Sequence, residues 1–504
     1  MSKPKTFRPW LPEQAWLLPP SPIDWLPKDH LAFFLLDLID QLDLDPILQL
    51  YRQKDARGEK AYDPRMMVVL LLYGYCVGLP SSRKIERACY EDLPFRVLSG
   101  NQQPDHTRIS EFRRRHLELL EDLFVQVLRL CQKSGLVQMG QVALDGTKVE
   151  ANASIHKAMS HERMEKSEQQ LRQEMRALLR KAELIDAQED GRYGKGKRGS
   201  ELPEELQRRE SRLEKIRQAK AELEAEAAAA QARRRQKQAD AAAKEAEQGD
   251  DDSKAKLSSR AHQKQQRADT ARALALQKLQ ETGIDPETVG LGEAEPMAMP
   301  TRGLPSNAQG KPSPKAQRNF TDPDSHVMKC GNGYIQGYNA QAAVDSKHQV
   351  IVAIGVSNQA PDVEHLVPML ERIETSTGTL PEKFIADAGY WSEANAKACS
   401  DRGIDAYIST GRQQHGQQGP PSRGPIRKDL DAKGRMARKL RSKNGREVYA
   451  RRKAIVEPVF GQTKENRGLR RFLLRGLEKV NGEWSLMSTG HNLLKLFKFS
   501  WAVT

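Results

Sequence analysis

The sequence is poor in cysteine and contains no long apolar run. Five cysteines occur among 504 residues, and none belongs to a C-x-x-C pair or another short spacing, which excludes a zinc knuckle and a disulfide framework. The longest apolar run, at residues 66–77, is too short to cross a bilayer core of about 30 Å. The first ten residues, MSKPKTFRPW, lack the apolar segment of a signal peptide. We therefore expect a reduced, cytoplasmic protein that has no membrane partner.

The positive charge is concentrated in one part of the chain. The net charge is +14 at pH 7. Between Arg423 and Arg475 there are eighteen Lys and Arg but only five Asp and Glu, so this segment alone carries +13. A charge run is usually a solvated surface. Over so long a segment, however, the self-repulsion of the positive charges favours a polyanionic partner, and the phosphates of nucleic acid fit that role. We therefore predict that the protein associates with the nucleoid.

The N-terminal part predicts a helical domain. Residues 1–28 are rich in proline and tryptophan and indicate an extended arm, and residues 29–138 follow helical periodicity. Within the second range, two helical segments flank a connection that contains proline and glycine, as in a relative of the helix-turn-helix. Plain helical packing is the alternative, because the connection is longer than the usual three or four residues. The residues offered to DNA by the second segment are Arg108, Arg113 and Arg114.

The remaining pattern predicts an α/β fold whose strands are interrupted by helices. Residues 142–151 form a strand pattern, and strand and helix patterns alternate again from residue 333 onwards. The intervening Glu/Lys/Arg/Gln/Ala tracts have almost no aromatic residues, which indicates an αα-hairpin or coiled coil followed by a linker. We predict a mixed sheet, an N-terminal all-helical domain and a helical insertion after the first core strand. The predicted domains are the arm (1–28), the helical DNA-binding domain (29–138), the first part of the catalytic core (139–155), the insertion and linker (156–318), the remainder of the core (319–475) and a helical tail (476–504).

Three acidic residues lie within apolar stretches and are candidates for a catalytic or metal-binding role. Asp145 interrupts the strand VALDGT, Asp387 ends the strand FIADAGY, and Glu457 lies in RRKAIVEPVFGQTK within the most basic segment. A single acid at a strand end is usually a turn or helix cap. Acids from adjacent elements beside a phosphate-attracting surface instead predict a site for Mg²⁺, which prefers oxygen ligands.

Five motifs taken together carry a resemblance to a known family. In order along the chain they are LDGTKVEANAS, DPDSHVMK, GYNAQAAVD, IADAGY and YARRKAIVEPVFGQTKENRGLRRFLLRG. The sequence resembles the DDE transposases of bacterial insertion sequences, in the group with a Tyr-Arg-Glu-Lys signature. The resemblance implies a ribonuclease-H-like core with Asp145, Asp387 and Glu457 as acidic triad. It also implies two Mg²⁺ ions, which Mn²⁺ can replace, held by the same three residues.

The resemblance further implies a function and partners. The expected activity is metal-dependent cleavage and strand transfer at the terminal inverted repeats of the element. The expected partners are double-stranded DNA, both repeats and target, and further copies of the chain in a dimer or larger assembly. A catalytically silent DNA-binding protein derived from a transposase is the alternative, as is a scaffold whose coiled coil is the function.

The basic residues of the signature are spaced differently here. Arg452 precedes Glu457 by five residues and Tyr449 precedes it by eight, one more than usual in each case, whereas Lys464 follows at the expected seven. Because one helical turn places position 453 nearest to Glu457, Lys453 is the candidate for the role of the arginine. Pro458 predicts a kink at this point or a Glu457 outside the helix. We expect Tyr449, Arg452, Lys453 and Lys464 to contact phosphate.

Overall fold

The computed structural model describes residues 21–52, 61–193, 204–248, 251–286, 289–291, 299–301, 306–307, 309–331, 333–411, 422–425 and 429–503. The chain divides into two compact units, one formed by residues up to Leu119 together with Leu496–Thr504, the other by Leu120–Lys495. The division between the two units falls at residue 119, whereas the sequence predicted a boundary at 138. Most of the predicted arm lies outside the described residues, and Pro22–Trp25 form a single 3-10 turn.

The described part of the first unit is helical, as predicted. Its most buried helix starts where the Asp63 side chain accepts a hydrogen bond from the Arg65 amide (2.8 Å) and Pro64 occupies the first turn. The same helix ends at Gly78, whose φ of 80° lies in the left-handed region. The helices are α1 (Leu31–Ile39), α2 (Asp45–Arg52), α3 (Pro64–Val77), α4 (Ser82–Glu91), α5 (Leu93–Leu98) and α6 (His106–Arg115).

The connection between α4 and α6 contains a helix of its own. Asp92 caps α5 by accepting from the Phe95 amide (3.4 Å). Asp105 caps α6 by accepting from the amides of Thr107 (2.9 Å) and Arg108 (3.1 Å). Since α5 is inserted between them, α4 and α6 are not joined by the short turn of a simple helix-turn-helix.

The second unit is built on a six-stranded mixed sheet. Strand β1 lies in its middle, antiparallel to β5 and parallel to β7. The order across the sheet is β4-β5-β1-β7-β8, and β6 also pairs with β5. The strands of the described chain are β1 (Gln141–Glu150), β2 (Ala158–Ser160), β3 (Gln317–Asn319), β4 (His326–Cys330), β5 (Gly333–Asp345), β6 (Ile351–Ser357), β7 (Lys383–Ala386) and β8 (Asp405–Ile408).

Helices surround this sheet and bury it. The side chain of Asn492 bonds to both the amide and the carbonyl of Ile351 (2.9 Å each), which satisfies backbone groups of β6. Trp484 is buried and donates from Nε1 to the Gln341 carbonyl (3.0 Å). The remaining helices are α7 (Leu117–Lys133), α8 (His161–Tyr193), α9 (Glu204–Gln248), α10 (Asp251–Thr282), α11 (Leu366–Thr377), α12 (Glu393–Asp401), α13 (Ala432–Leu440), α14 (Lys443–Gly461) and α15 (Leu477–Val503).

The insertion follows β1, as predicted, and consists of α8, α9 and α10. Ion pairs between Glu168 and Arg217 (3.3 Å) and between Glu174 and Arg209 (3.4 Å) show that α8 and α9 run antiparallel. Helices α9 and α10 form an antiparallel hairpin over a seam of buried alanines. The ends of the insertion are held by a short ladder between β2 and β3, in which Ala158 pairs with Asn319. This ladder corrects the expectation of a purely helical insertion.

The described residues bear on two expectations from the sequence, one about membrane-spanning segments and one about the cysteines. Among the described residues no single helix is long and apolar enough to cross a membrane, although the bent pair α3 and α4 meets the length and composition criteria together. All five cysteines are free thiols, and only Cys330 is exposed.

Candidate active site

The register of the sheet places two predicted acids side by side. Strands β1 and β7 are parallel neighbours, and Leu144 pairs with Ala386. The next residue on each chain is Asp145 and Asp387 respectively. Asp387 begins a 3-10 turn, where its Oδ1 accepts from the Gly389 amide (2.7 Å). The end of β7 therefore carries one acid directly beside the acid of β1.

Asp145 is largely buried and has a cationic partner. Its Oδ2 accepts from Arg452 Nη1 at 2.7 Å, and its Oδ1 accepts from the Gly146 amide at 2.9 Å. Burial raises the pKa of Asp145 to about 6; the Arg452 guanidinium acts in the opposite direction, and the charge of Asp387 raises the pKa further. The value above the usual range shows that burial and repulsion outweigh the ion pair.

Arg452, and not Lys453, reaches the acids. Arg452 is buried except for 13% of its side chain, whereas Lys453 is exposed. Tyr449, one turn earlier on α14, is partly buried. Burial raises its pKa, whereas Ser409 and Arg452 act in the opposite direction. The spacing argument for Lys453 is thus wrong, because packing of α14 on the sheet decides which residue of the helix faces inwards.

Glu457 is placed apart from these acids. Helix α14 continues through Pro458, so Glu457 lies within the helix and not outside it. Glu457 is exposed, and at 100° per residue it lies about 140° around the helix from Arg452. Among the described residues, no three His, Cys, Asp or Glu side chains form a group able to hold a metal ion. The structure brings together two of the three predicted acids.

A further acid, Asp362, lies beside the pair and was not predicted. Its Oδ1 accepts from Asn339 Nδ2 (2.7 Å), Gln341 Nε2 (3.0 Å) and Lys148 Nζ (3.3 Å). A Cβ placed on Gly146 would lie 3.0 Å from the same oxygen, so Asp362 closely approaches the residue after Asp145. The sequence did contain a signal for it. Asn339 and Gln341 occupy one face of a buried strand, and buried amides require partners.

The buried hydroxyl of Tyr390 lies near the carboxylates of Asp145, Asp387 and Asp362. Tyr390 is fully buried and donates from its hydroxyl to Gln341 Oε1. Burial raises its pKa, and the negative charges of Asp362, Asp145 and Asp387 raise it further. Tyr390 is therefore a neutral hydrogen-bond donor that ties the strand β5 to the turn after β7.

Lys464 lies next to another lysine at the far end of β1. In a π-helical turn after α14, its Nζ donates to the Lys148 carbonyl at 3.0 Å. Burial lowers the pKa of Lys464 and that of Lys148. This packing places the charges of Lys464 and Lys148 beside the part of β1 that follows Asp145.

The arginines predicted to bind DNA in the first unit differ in exposure. Arg108 and Arg114 are exposed on α6. Arg113 is 4% exposed and donates to the Pro80 carbonyl (2.8 Å), the Ser82 hydroxyl (3.2 Å) and the Tyr75 hydroxyl (3.3 Å). The prediction that Arg113 contacts DNA is therefore corrected. Its guanidinium holds α6 against the preceding helices.

The donor chemistry of Asp145 and Asp387 fits a hard divalent cation. Carboxylate oxygens are the preferred ligands of Mg²⁺. A cation between Asp145 and Asp387 would relieve the repulsion that raises the pKa of Asp145. These two residues are thus suited to such an ion.

Two family models match separate parts of the chain. Residues 21–115 match a transposase domain (DUF772), and residues 307–493 match a transposase DDE domain. Both matches support a DDE transposase of an insertion sequence. The second range contains Asp387, Tyr449, Arg452, Glu457 and Lys464, whereas Asp145 lies outside both ranges. No curated protein and no solved structure matches the chain.

Proposed function

We propose that the protein is a DNA transposase that cleaves and joins phosphodiesters at the terminal repeats of its insertion sequence. The observation that carries this proposal is the adjacency of Asp145 and Asp387, fixed by the parallel register of β1 and β7. The sheet, with antiparallel strands on one side of β1 and parallel strands on the other, is compatible with the ribonuclease-H-like core that the resemblance implies. The transposase matches at both ends of the chain support the same activity.

In this proposal Asp145 and Asp387 hold Mg²⁺, or Mn²⁺ in its place. The resemblance assigns Glu457 as the third ligand, although its exposed side chain lies apart from the two aspartates in this structure. When bound, two ions of this kind activate a water or a DNA 3′-hydroxyl and stabilise the leaving oxygen. Asp145 must be ionised to serve as a ligand, and Arg452, at 2.7 Å, favours that form. Tyr449, one turn before Arg452 on α14, helps to position its guanidinium.

The proposal assigns the DNA contacts to positive side chains of both units. Arg108 and Arg114 on α6 contact the terminal repeats, and Arg452 and Lys464 neutralise phosphate near the acids. Lys453, exposed on α14, contacts phosphate at the surface. The protein acts as a dimer or larger assembly, because the two ends of an element have to be brought together.

The test is Mg²⁺-dependent cleavage of a duplex that carries the inverted repeats flanking the coding sequence. Asp145→Asn, Asp387→Asn and Glu457→Gln each remove a ligand charge and keep the shape, so each should abolish cleavage while binding of the repeats persists. Glu465→Gln is the matched control, since Glu465 is exposed and pairs with Arg470. Wild-type protein that binds the repeats but never cuts them would favour the silent DNA-binding protein. Full cleavage by one of the three variants would remove that residue from the site.

A further inference from the structure

A cavity of about 790 Å³ lies at the base of the insertion, between the β2-β3 ladder and α9. Its lining includes four cationic side chains, from Lys157 before β2, Arg163 on α8 and the pair Arg212 and Lys215 on α9. All four are exposed. One acid, Glu222, lines the cavity, and it pairs with the buried Arg318, which also pairs with Glu226.

These four cations have no partner of their own. Some cations on α8 and α9, such as Lys166 and Lys220, form ion pairs with glutamates. The side chains of the four cations around the cavity form no ion pair or hydrogen bond within the described part of the chain. Other exposed cations of α9, Arg234 and Lys237 among them, do not line the cavity. Four unpaired cations around one concavity indicate an anionic ligand.

The wall of the cavity is apolar. Met159, Ile216 and Phe320 line it, and Ile216 belongs to the small core between α8 and α9. Its volume falls within the range of about 300–1,000 Å³ that binds small molecules and cofactors. A cationic rim above an apolar wall suits a nucleotide, whose phosphate is anionic and whose sugar and base are largely flat and apolar.

We propose that this cavity binds a nucleotide of a DNA strand, with its phosphate on the cationic rim. The inference rests on the proposed function and assigns the insertion a part in holding DNA. The cavity lies beside the chain segment that connects β1 to the insertion, so DNA bound here contacts the unit that carries Asp145. Free nucleotides share the same chemistry, and the experiment separates the two sources.

The experiment uses the full chain and compares two double variants on one helix. Arg212→Gln with Lys215→Gln removes two cations from the rim. Arg234→Gln with Lys237→Gln removes two exposed cations with the same spacing on α9, neither of which lines the cavity. Fluorescence anisotropy with a labelled duplex that carries a single-stranded overhang, whose unpaired bases can reach the apolar wall, is recorded across a salt series, with and without millimolar ATP as competitor.

The rim variant is expected to weaken DNA binding and to flatten the slope of log affinity against log salt by up to about 0.9 for each lost contact. The control variant should leave the slope unchanged, and ATP should not displace the duplex from wild type. Equal effects of both variants, or ATP binding that depends on the rim while DNA binding does not, would overturn the inference. A wild type that binds no DNA would instead contradict the proposed function.

Discussion

Arg452 Nη1 lies 2.7 Å from Oδ2 of Asp145, so a cation from α14 neutralises the acid of the central strand. Only 13% of the arginine side chain and 19% of the aspartate side chain are exposed. Removing one partner of such a pair costs more than the pair contributes, because it leaves a charge with little water around it. The contact therefore couples the packing of α14 to the charge state of the site.

The raised pKa of Asp145 predicts a pH-dependent stability. The pKa rises from 3.8 to about 6 in the folded protein, so the folded state retains this proton to higher pH than the unfolded state. The contribution of Asp145 to the free energy of unfolding therefore falls by about 2 kcal/mol as pH rises from 4 to 7. Because Asp145→Asn cannot ionise, its stability relative to wild type should rise by that amount over this range, on top of a pH-independent cost of leaving Arg452 unpaired. Urea unfolding at a series of pH values measures the difference.

The exposed Asp401 supplies the comparison for that experiment. Asp401→Asn removes an exposed carboxyl of the same kind and supplies the reference pH series. If the stability difference between Asp145→Asn and wild type varies with pH no more than that of Asp401→Asn, the burial argument is wrong.

Gly146 should not tolerate a methyl group. A Cβ there would lie 2.3 Å from Gln341 Nε2 and 3.0 Å from Asn339 Oδ1. Gln341 is fully buried and its amide is held by hydrogen bonds to Asn339, Asp362 and Tyr390, so it cannot move aside without losing them. Gly146→Ala is expected to cost about 1–3 kcal/mol, measured as a lower urea midpoint.

A second glycine provides the control for this substitution. Gly461 ends α14 with a φ of −59°, and a Cβ there would meet no atom within 4 Å. Gly461→Ala should be neutral or stabilise by up to about 1 kcal/mol, because alanine favours the helix. Equal stability of the two variants would contradict the packing described around Gly146.

The strands could be predicted because their signal is local. In GYNAQAAVD and VALDGT, β-branched and small residues alternate over enough positions to set the bounds of β5 and β1 within a residue or two. The candidate acids Asp145 and Asp387 were recognised from the same patterns. Their adjacency then required only that both strands join one sheet in parallel.

The remaining features depend on contacts between distant segments. Asp362 follows a loop with no pattern of its own and reaches the acids only because β5 and β6 fold back. The choice of Arg452 over Lys453 is set by the face of α14 that packs on the sheet, and local spacing from Glu457 points to the wrong residue. The β2-β3 ladder joins segments more than 150 residues apart through three pairs, too few for a sequence signal.

The pair Lys148 and Asp362 should show strong energetic coupling. Lys148 Nζ lies 3.3 Å from Asp362 Oδ1 and also donates to the Ala360 carbonyl (2.8 Å). Burial lowers the pKa of Lys148, so its charge depends on the acid. Asp362→Asn should cost roughly 3 kcal/mol, since it leaves a poorly solvated ammonium.

A double-mutant cycle isolates this coupling. Lys148→Met together with Asp362→Asn removes both charges and should cost less than the sum of the single changes, with an interaction energy of about 1–3 kcal/mol. Denaturant unfolding of the four proteins supplies the cycle. Additive costs would show that the two side chains do not depend on each other.

The basic segment should bind DNA through the cations that the fold leaves unused. Within it, Arg438 donates to the carbonyls of Ser422 and Gly424, and Lys439 lies over the Tyr407 ring (4.2 Å), so both serve the fold. Three exposed cations on α14 have no side-chain partner among the described residues. They are Lys443, Arg451 and Lys453.

Replacing these three residues by glutamine should remove up to about three phosphate contacts. Each lost contact should flatten the slope of log affinity against log salt by about 0.9. Repeat and random DNA should be weakened alike, because phosphate contacts carry no sequence information. Lys254, Lys256 and Arg260 are exposed on α10, and their triple glutamine variant removes the same charge from another surface. Anisotropy titrations across a salt series compare the two. If the α10 variant changes the slope as much as the α14 variant, net charge alone governs binding and α14 does not lie along the DNA.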